Sequence, residues 1–478
     1  MRPRDRLLSR QATAAGEYGM WMDEALAASP PVDTPALAGD ERADVLVVGG
    51  GYTGLWTAIR VLELEPSANV TVLEADLCGS GASGRNGGFA LSWWPKIETL
   101  IKRVGTEEAF RLGDAAERAI GELGEFCAAE GIDAHFRNGG WLWTSTSRAQ
   151  VGAWGGALRI CEDGGRSPFE RLSAEQMRER TGSPVHLGGL LEPAAATVQP
   201  ALLARGLREA AIRRGARVYE RSPVVRLDRD GGVAHTAGGS VRADAVVLAT
   251  NAWLSQIPEL ARAVLPLSSD IVATAPMPER LESSGWTGGE AISNSRLMVD
   301  YYRTTNDGRV AFGRGGGGIG FRGRFAFDSA PRRAAQVESD LRRLVPAGGG
   351  IPVTDAWGGA VDRSQDGLPF FGSLHGRTPV HYGVGYSGNG VAPSLLGGRV
   401  LASMATGRDD EWAGSGLVGG VPGKFPPEPV RFLGGSLVKG AVAHKERRED
   451  HDRAVDPITR ALAKLAPSGF FRISQDER

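Results

Sequence analysis

The stretch from Ala43 to Ala75 constrains the chain most. Val45 to Val48 form a short apolar run, the pattern of a strand buried on both faces of a parallel sheet. It leads into Gly49, Gly51 and Gly54 in Gly-X-Gly-X-X-Gly spacing, with Tyr52 and Thr53 between the last two. Small residues there permit a tight turn, close approach of the backbone to a pyrophosphate, and close packing of helix on strand. Leu55, Ala58, Ile59 and Leu62 recur at helical spacing, so the turn opens a helix whose N-terminal N–H groups favour an anion. A second β-run, Val70 to Leu73, ends at Glu74 and Ala75; an acid ~20 residues beyond the glycines suits ribose hydroxyls. A glycine triplet alone is a weak signal. Strand, triplet, helix, strand and terminal acid in this order specify a dinucleotide site.

The 478 residues leave room for two domains and a large core. A net charge of -1 argues against a nucleic-acid partner or a strongly anionic membrane surface. No apolar stretch approaches the ~20 residues needed to span a bilayer. Cys78, Cys127 and Cys161 are odd in number and widely spaced, fitting neither a disulfide framework nor a metal site. The expectation is a soluble cytoplasmic protein; composition leaves its oligomeric state open. Residues 1 to about 40 read as an arm closed off by Pro30, Pro31 and Pro35. Trp21 and Met22 within it either pack on the domain surface or cover part of the cleft.

After Glu74 comes a glycine-rich loop, Cys78 to Phe89, that contains Ser83, Gly84, Arg85, Asn86, Gly87 and Gly88. Such a loop bares many N–H groups, and Arg85 can meet phosphate oxygens. It ends on Phe89, Trp93 and Trp94, placed either against a ring system or in the core. This loop, paired with the Gly49–Gly54 turn, resembles the D-amino-acid oxidase superfamily of FAD enzymes. Its nearest look is that of the glycine oxidase and γ-glutamylputrescine oxidoreductase-like branch, from about residue 17 to 410. The resemblance implies an α/β fold: a Rossmann-like FAD-binding domain of the glutathione-reductase type, with an inserted α+β substrate domain built on an antiparallel sheet. It further implies that Val224 or Val225 presents its backbone to the adenine. Ala249, Thr250, Asn251 and Trp253 would form a turn beside the phosphates and ribityl chain. Gly385, Gly388, Asn389, Gly390 and Val391 would bring a helix N-terminus to the flavin N1–C2=O edge, with Asp366 in the preceding turn. The triplet and Glu74 would serve NAD equally well; the Arg85 loop and the later turns select FAD.

Helical periodicity between residues 97 and 130 predicts amphipathic helices, and Pro200 opens another. Gly139 to Trp143 reads as a strand, and alternation in 271–274, 297–304 and 309–312 predicts antiparallel strands with one wet face. The expected organisation is an arm over 1–40, an FAD domain from 41–95, 196–265 and 356–410, a substrate domain from 96–195 and 266–355, and an extension over 411–478. The charged run Lys445 to Asp452 reads as a solvated helix or tail.

Enzymes of this superfamily remove a hydride from a carbon bearing nitrogen, and the flavin carries the hard chemistry. The FAD is expected to be noncovalent, because the last cysteine, Cys161, lies far before the attachment region of the sarcosine oxidase branch. No lysine stands between Lys102 and Lys424, so the cation that helps oxygen react in that branch would here be an arginine: Arg314, Arg322 or Arg324. Tyr302, Arg303, Arg314, His381 and Trp93 are the candidates near the reacting atoms. Arginine pairs with carboxylate or phosphonate oxygens through a planar fork. The cluster therefore predicts a small amine with an anionic group: an amino acid, a γ-glutamyl amine or an aminophosphonate. O2 is the expected acceptor. A dehydrogenase passing electrons elsewhere is an alternative, as is a biosynthetic flavin monooxygenase, against which the lack of a second nucleotide motif counts.

Overall fold

The computed structural model describes residues 18–28, 34–321 and 331–467. The candidate arginines Arg322 and Arg324 lie outside them.

Gly39–Val48 is the middle of a first sheet, parallel to Val70–Leu73 on one side and to Gly239–Leu248 on the other. Arg217–Tyr219 and Val380–Val384 extend the parallel part, and Phe370–Leu374 closes one edge antiparallel. A hairpin, Arg226–Asp228 with Val233–His235, hangs from Gly239–Leu248. The apolar run alternates between two cores. Val45 and Val47 face the helices Tyr52–Leu64 and Pro393–Ala405, while Leu46 and Val48 join Val246, Leu248 and Tyr382 on the other face. Each such fully buried aliphatic side chain stabilises the fold by roughly 1.5–3 kcal/mol. The helix beginning at Pro200 is capped by Gln199, whose side chain accepts from the Leu202 N–H.

The second sheet has eight strands in the order Val353–Arg363, Leu265–Thr274, Val310–Arg314, Asp300–Thr304, Ala291–Asn294, Trp141–Thr144, Gly189–Glu192, Glu170–Leu172. All neighbours are antiparallel except Trp141–Thr144 beside Ala291–Asn294. Val353–Arg363 runs straight through residue 356, where the sequence placed a domain boundary. It pairs with Leu265–Thr274 along almost its whole length, and its last residues reach the first sheet's cleft.

Two peripheral segments were left open by the sequence. The helix Met20–Ala28 buries Trp21 and Met22, and Trp21 meets Trp357 edge-on at 5.9 Å between ring centroids. Met22 lies behind Gly79 and Gly84. The described helix of the arm therefore packs behind the glycine-rich loop, and Trp21 and Met22 line neither cavity. Of the two readings of the run Lys445–Asp452, helix holds as far as Glu449, where the helix Val430–Glu449 ends, but Glu446 within it is buried and not solvated. Among the described residues no helix is long and apolar enough to cross a membrane. All three cysteines are buried and free.

Glu192 ends its strand fully buried. Burial pushes its carboxyl up to about 7, opposed by Ser92 and aided by Glu117. The folded state thus holds a proton that the unfolded carboxyl releases near its ordinary 4.5, so stability falls as pH rises across that window. Glu192→Gln mimics the neutral acid and should remove this loss. Relative to the parent, its denaturant-derived stability at about pH 8 should rise against that at about pH 5 by on the order of 3 kcal/mol. An unchanged difference between the two pH values would assign Glu192 an ordinary pKa.

Candidate functional site

Gly49 leaves the first strand at φ +113, and its N–H donates to the Leu73 carbonyl at 2.9 Å. A Cβ on Gly54 would stand 2.0 Å from the Gly49 carbonyl oxygen, so the helix lies on the strand as only glycine allows. Glu74 folds back over the turn, accepting from the N–H groups of Gly50 at 2.7 Å and Asp76 at 3.0 Å. Above the helix start, Ser83 Oγ accepts from Tyr52 N–H at 2.9 Å. Asn86 ties its own loop together, donating to the carbonyls of Ala82 and Ser83 and accepting from Gly88 N–H.

Two connected cavities result. The first is lined by Gly49, Gly51, Glu74, Ala75, Val224, Ala249, Thr250 and Trp253. This is a cleft at the carboxyl ends of parallel strands, where α/β sheets bind their ligands. The second is lined by Arg85, Asn86, Gly87, Phe89, Gly388, Gly390 and Val391, together with strands of the second sheet. Tyr52, Thr53, Ser83, Asn251 and Tyr386 line both, so one extended ligand can run from Glu74 to the second sheet. The remaining predicted glycines, Gly54, Gly84, Gly88 and Gly385, shape the walls from behind, and Asn389 donates to the Ser92 carbonyl at 3.0 Å.

The donor set fits FAD. Exposed N–H groups at a helix start suit a diphosphate, Glu74 and Val224 share the far end, and the second cavity is mostly apolar, as a flavin ring requires. Residues 44–404 match the family described as DAO, FAD dependent oxidoreductase. The chain belongs to that family. It is 32% identical over 368 residues to gamma-glutamylputrescine oxidoreductase of Escherichia coli, covering 76% of this chain and 84% of that protein. It is 28% identical over 386 residues to the probable oxidoreductase OrdL of Haemophilus influenzae, covering 79% and 86%. Among solved structures it is similar to glycine oxidase from Geobacillus kaustophilus, with a TM-score of 0.62, 22% identity, and coverage of 77% and 96%. It is thus an FAD flavoenzyme, an oxidoreductase.

The residues expected at the reacting atoms are mostly elsewhere. Tyr302 points into the second domain's core, stacked on Phe312, with its hydroxyl 3.1 Å from His186 Nε2. Arg303 is buried beneath Trp21 and donates to the carbonyls of Val198 at 2.6 Å and Thr304 at 3.1 Å. Arg314 is ion-paired to Asp340. His381 bonds Ser373 at 2.9 Å inside its hairpin, and burial lowers its pKa. Trp93 is core. None of these five lines either cavity. Asp366 is also away from them, paired with Arg103 at 3.2 Å and bonded to Leu368 N–H. Arg85 does line the second cavity, but its guanidinium donates to the carbonyls of Ser80 and Gly358. It braces the loop against the strand Val353–Arg363, on the deep cavity and not on the glycine-turn cleft.

What lines the second cavity instead includes Tyr301, Ser269, Asp362, Arg363 and Tyr386. Tyr301 hydrogen-bonds Ser269 Oγ at 2.8 Å and meets Phe89 edge-on. Alternation along Asp300–Thr304 already required Tyr301 and Tyr302 to face opposite ways; packing decided which faced the cavity. Tyr386 bonds Thr53 Oγ1 at 3.0 Å. Arg363 donates to the Ser387 carbonyl at 3.3 Å, and burial lowers its pKa to about 10 with Asp362 opposing. It stays charged at neutral pH. Lys96 was passed over in the sequence: burial pushes its amine down to about 7, aided by Arg363 and opposed by Asp366.

Asp362 holds the turn before the helix Pro393–Ala405. Its carboxylate accepts from the N–H groups of Gly385 at 2.6 Å, Tyr386 at 3.2 Å and Ser387 at 3.2 Å. Burial raises it to about 6 while these three donors favour the ionised form. A hydrogen bond to a charged group contributes roughly 1.5–3 kcal/mol. Asp362→Ala should therefore weaken FAD retention by about tenfold or more, read by flavin fluorescence on dilution. Asp362→Asn, which keeps an acceptor oxygen, should lose less. Equal FAD affinity in parent and Asp362→Ala would remove the turn from the cofactor site.

Proposed function

We propose that the protein oxidises the C–N bond of a small amine or amino acid carrying an anionic group, by hydride transfer to noncovalently bound FAD. The carrying observation is the second cavity, which continues the cofactor cleft and is lined by Arg363 among Tyr301, Ser269, Ser293, Leu267, Leu297 and Val299, while its other charged side chains are engaged elsewhere, Arg85 with the Ser80 and Gly358 carbonyls and Asp362 with three N–H groups. The named activity of the gamma-glutamylputrescine relative and the glycine oxidase fold support the same class. FAD, when bound, supplies the two-electron acceptor.

The chain's own groups then have distinct tasks. Arg363, a fixed charge at pH 7, receives the substrate's anionic end in place of the Arg303 and Arg314 expected from sequence. Tyr301, Phe89 and the aliphatic side chains exclude water and hold the carbon that loses hydride. Burial raises the Tyr301 and Tyr386 hydroxyls well above their ordinary value, so both remain neutral hydrogen-bonding groups and neither serves as the base. The amine enters in its neutral form, and water hydrolyses the resulting imine to the carbonyl product. O2 is the proposed acceptor, giving H2O2.

The purified protein should be yellow, and acid precipitation should release all of its flavin. Among amines tested anaerobically, those bearing a carboxylate or phosphonate should bleach the flavin fastest. Arg363→Met should raise their KM steeply, by about tenfold or more for one lost charge-assisted contact. Faster bleaching by uncharged alkylamines than by every anionic amine would overturn the substrate class. Bleaching without H2O2 on reoxidation in air would make it a dehydrogenase.

A further inference from the structure

The family match stops at residue 404, yet the chain continues into a long helix, Val430–Glu449, that returns to the second cavity. Leu297, Val299, Gly315 and Gly316 form the cavity's outer wall. They lie on two adjacent loops, joined by a hydrogen bond from Gly315 N–H to the Val299 carbonyl at 2.9 Å. The helix grips both loops. Glu446 Oε1 accepts from Met298 N–H at 3.0 Å, and Lys439 Nζ donates to the Gly317 carbonyl. Just beyond the helix end, Asp450 pairs with Arg296, which also pairs with Asp300 at 2.9 Å. Positions 439, 442 and 446 recur at helical spacing, and Val442 and Glu446 are buried while Leu433 and Leu437 are exposed. One face of the helix is thus turned to the wall.

We infer that the helix Val430–Glu449 belongs to the substrate site, as a strut that fixes the outer wall of the cavity and so sets which amines fit, with Glu446 and Lys439 as positioning residues. The inference rests on that cavity being the amine site, as proposed above. The physical argument is that loops rich in glycine, here Gly315 to Gly318, carry little conformational preference of their own. A carboxylate buried against a backbone N–H and an arginine is costly unless that geometry is kept. The helix therefore imposes one arrangement on a wall that would otherwise have many. Burial raises the Glu446 pKa while Arg296 and the Met298 N–H favour its charge.

The test uses the full-length, FAD-loaded protein and compares Glu446→Leu, Glu446→Gln and Lys439→Met with the parent. Two readouts are taken: amide hydrogen exchange at Met298 and Gly315–Gly317, and anaerobic flavin bleaching by glycine, N-ethylglycine and N-benzylglycine. Glu446→Leu should speed exchange at Met298 by about tenfold or more, as expected for loss of one charge-assisted bond. It should also narrow the discrimination between the smallest and largest amine, through KM and not kcat. Glu446→Gln keeps the acceptor and should stay near the parent; a merely structural role would give no such rescue. Should Glu446→Leu fail to fold, Lys439→Met, at the partly exposed middle of the helix, carries the test at Gly317. Unchanged exchange and unchanged amine discrimination in a folded variant would overturn the inference. If no amine bleaches even the parent, the proposed substrate class fails, and the exchange data alone decide whether the strut exists.

Discussion

Contact between bare backbones, with no side chain between them, underlies the whole site. At the end of the first strand a Cβ on Gly54 would meet the Gly49 carbonyl at 2.0 Å, and one on Gly49 would meet the Ala249 carbonyl at 2.6 Å. Any larger residue would push the helix off the strand, or push apart Gly39–Val48 and Gly239–Leu248, the strands whose carboxyl ends frame the cleft. Because those strands are parallel and in register from Val45↔Ala245 to Val48↔Leu248, their following turns end at one level. Glu74, Ala249 and Thr250 meet there although they are far apart along the chain.

Charged side chains buried in this protein serve mostly as braces. Arg303 spends its donors on the Val198 and Thr304 carbonyls. Arg85 spends them on Ser80 and Gly358, and Asp362 gathers three N–H groups of one turn. Such groups are costly to bury unless fully bonded, so they hold loops in a single geometry. The glycine-rich segments around the cofactor cleft supply approach without stiffness, and these ions supply the stiffness. Arg363 differs in lining the cavity while donating to the Ser387 carbonyl at 3.3 Å, and it is the group proposed to meet the substrate's anionic end.

The strand Val353–Arg363 is an edge of the second sheet and ends beside the turn Gly385–Ser387 that follows a strand of the first. Asp362 and Arg363 therefore lie where the two domains meet: one holds the turn and the other faces the cavity. The segments outside the family match act from behind in a similar way. The helix Met20–Ala28 backs the glycine-rich loop, and the helix Val430–Glu449 backs the outer wall.

How far the sequence reached follows from which interactions are local. The Gly49–Gly54 turn, the flanking strands and Glu74 are encoded within about thirty consecutive positions, and their spacing alone implies a strand, a helix start and an acid at fixed separations. Dinucleotide chemistry was legible for that reason, while the family and the two-sheet architecture were implied by the resemblance that this turn carries together with the Arg85 loop. The substrate side was not, because strand alternation says that Tyr301 and Tyr302 face opposite ways but not which face meets the flavin side. That was decided by Trp286 and Phe312 packing around Tyr302. Likewise an arginine's charge can be read from its codon, whereas its role depends on the nearest acceptor in space. Asp340 took Arg314, Val198 took Arg303, and no described carboxylate other than its neighbour Asp362 took Arg363. A run free of lysine along the chain did not keep lysine away either, since Lys96 and Lys439 come in from outside it. Local spacing marked a dinucleotide site; long-range packing chose which charged side chains line the cavity beside it.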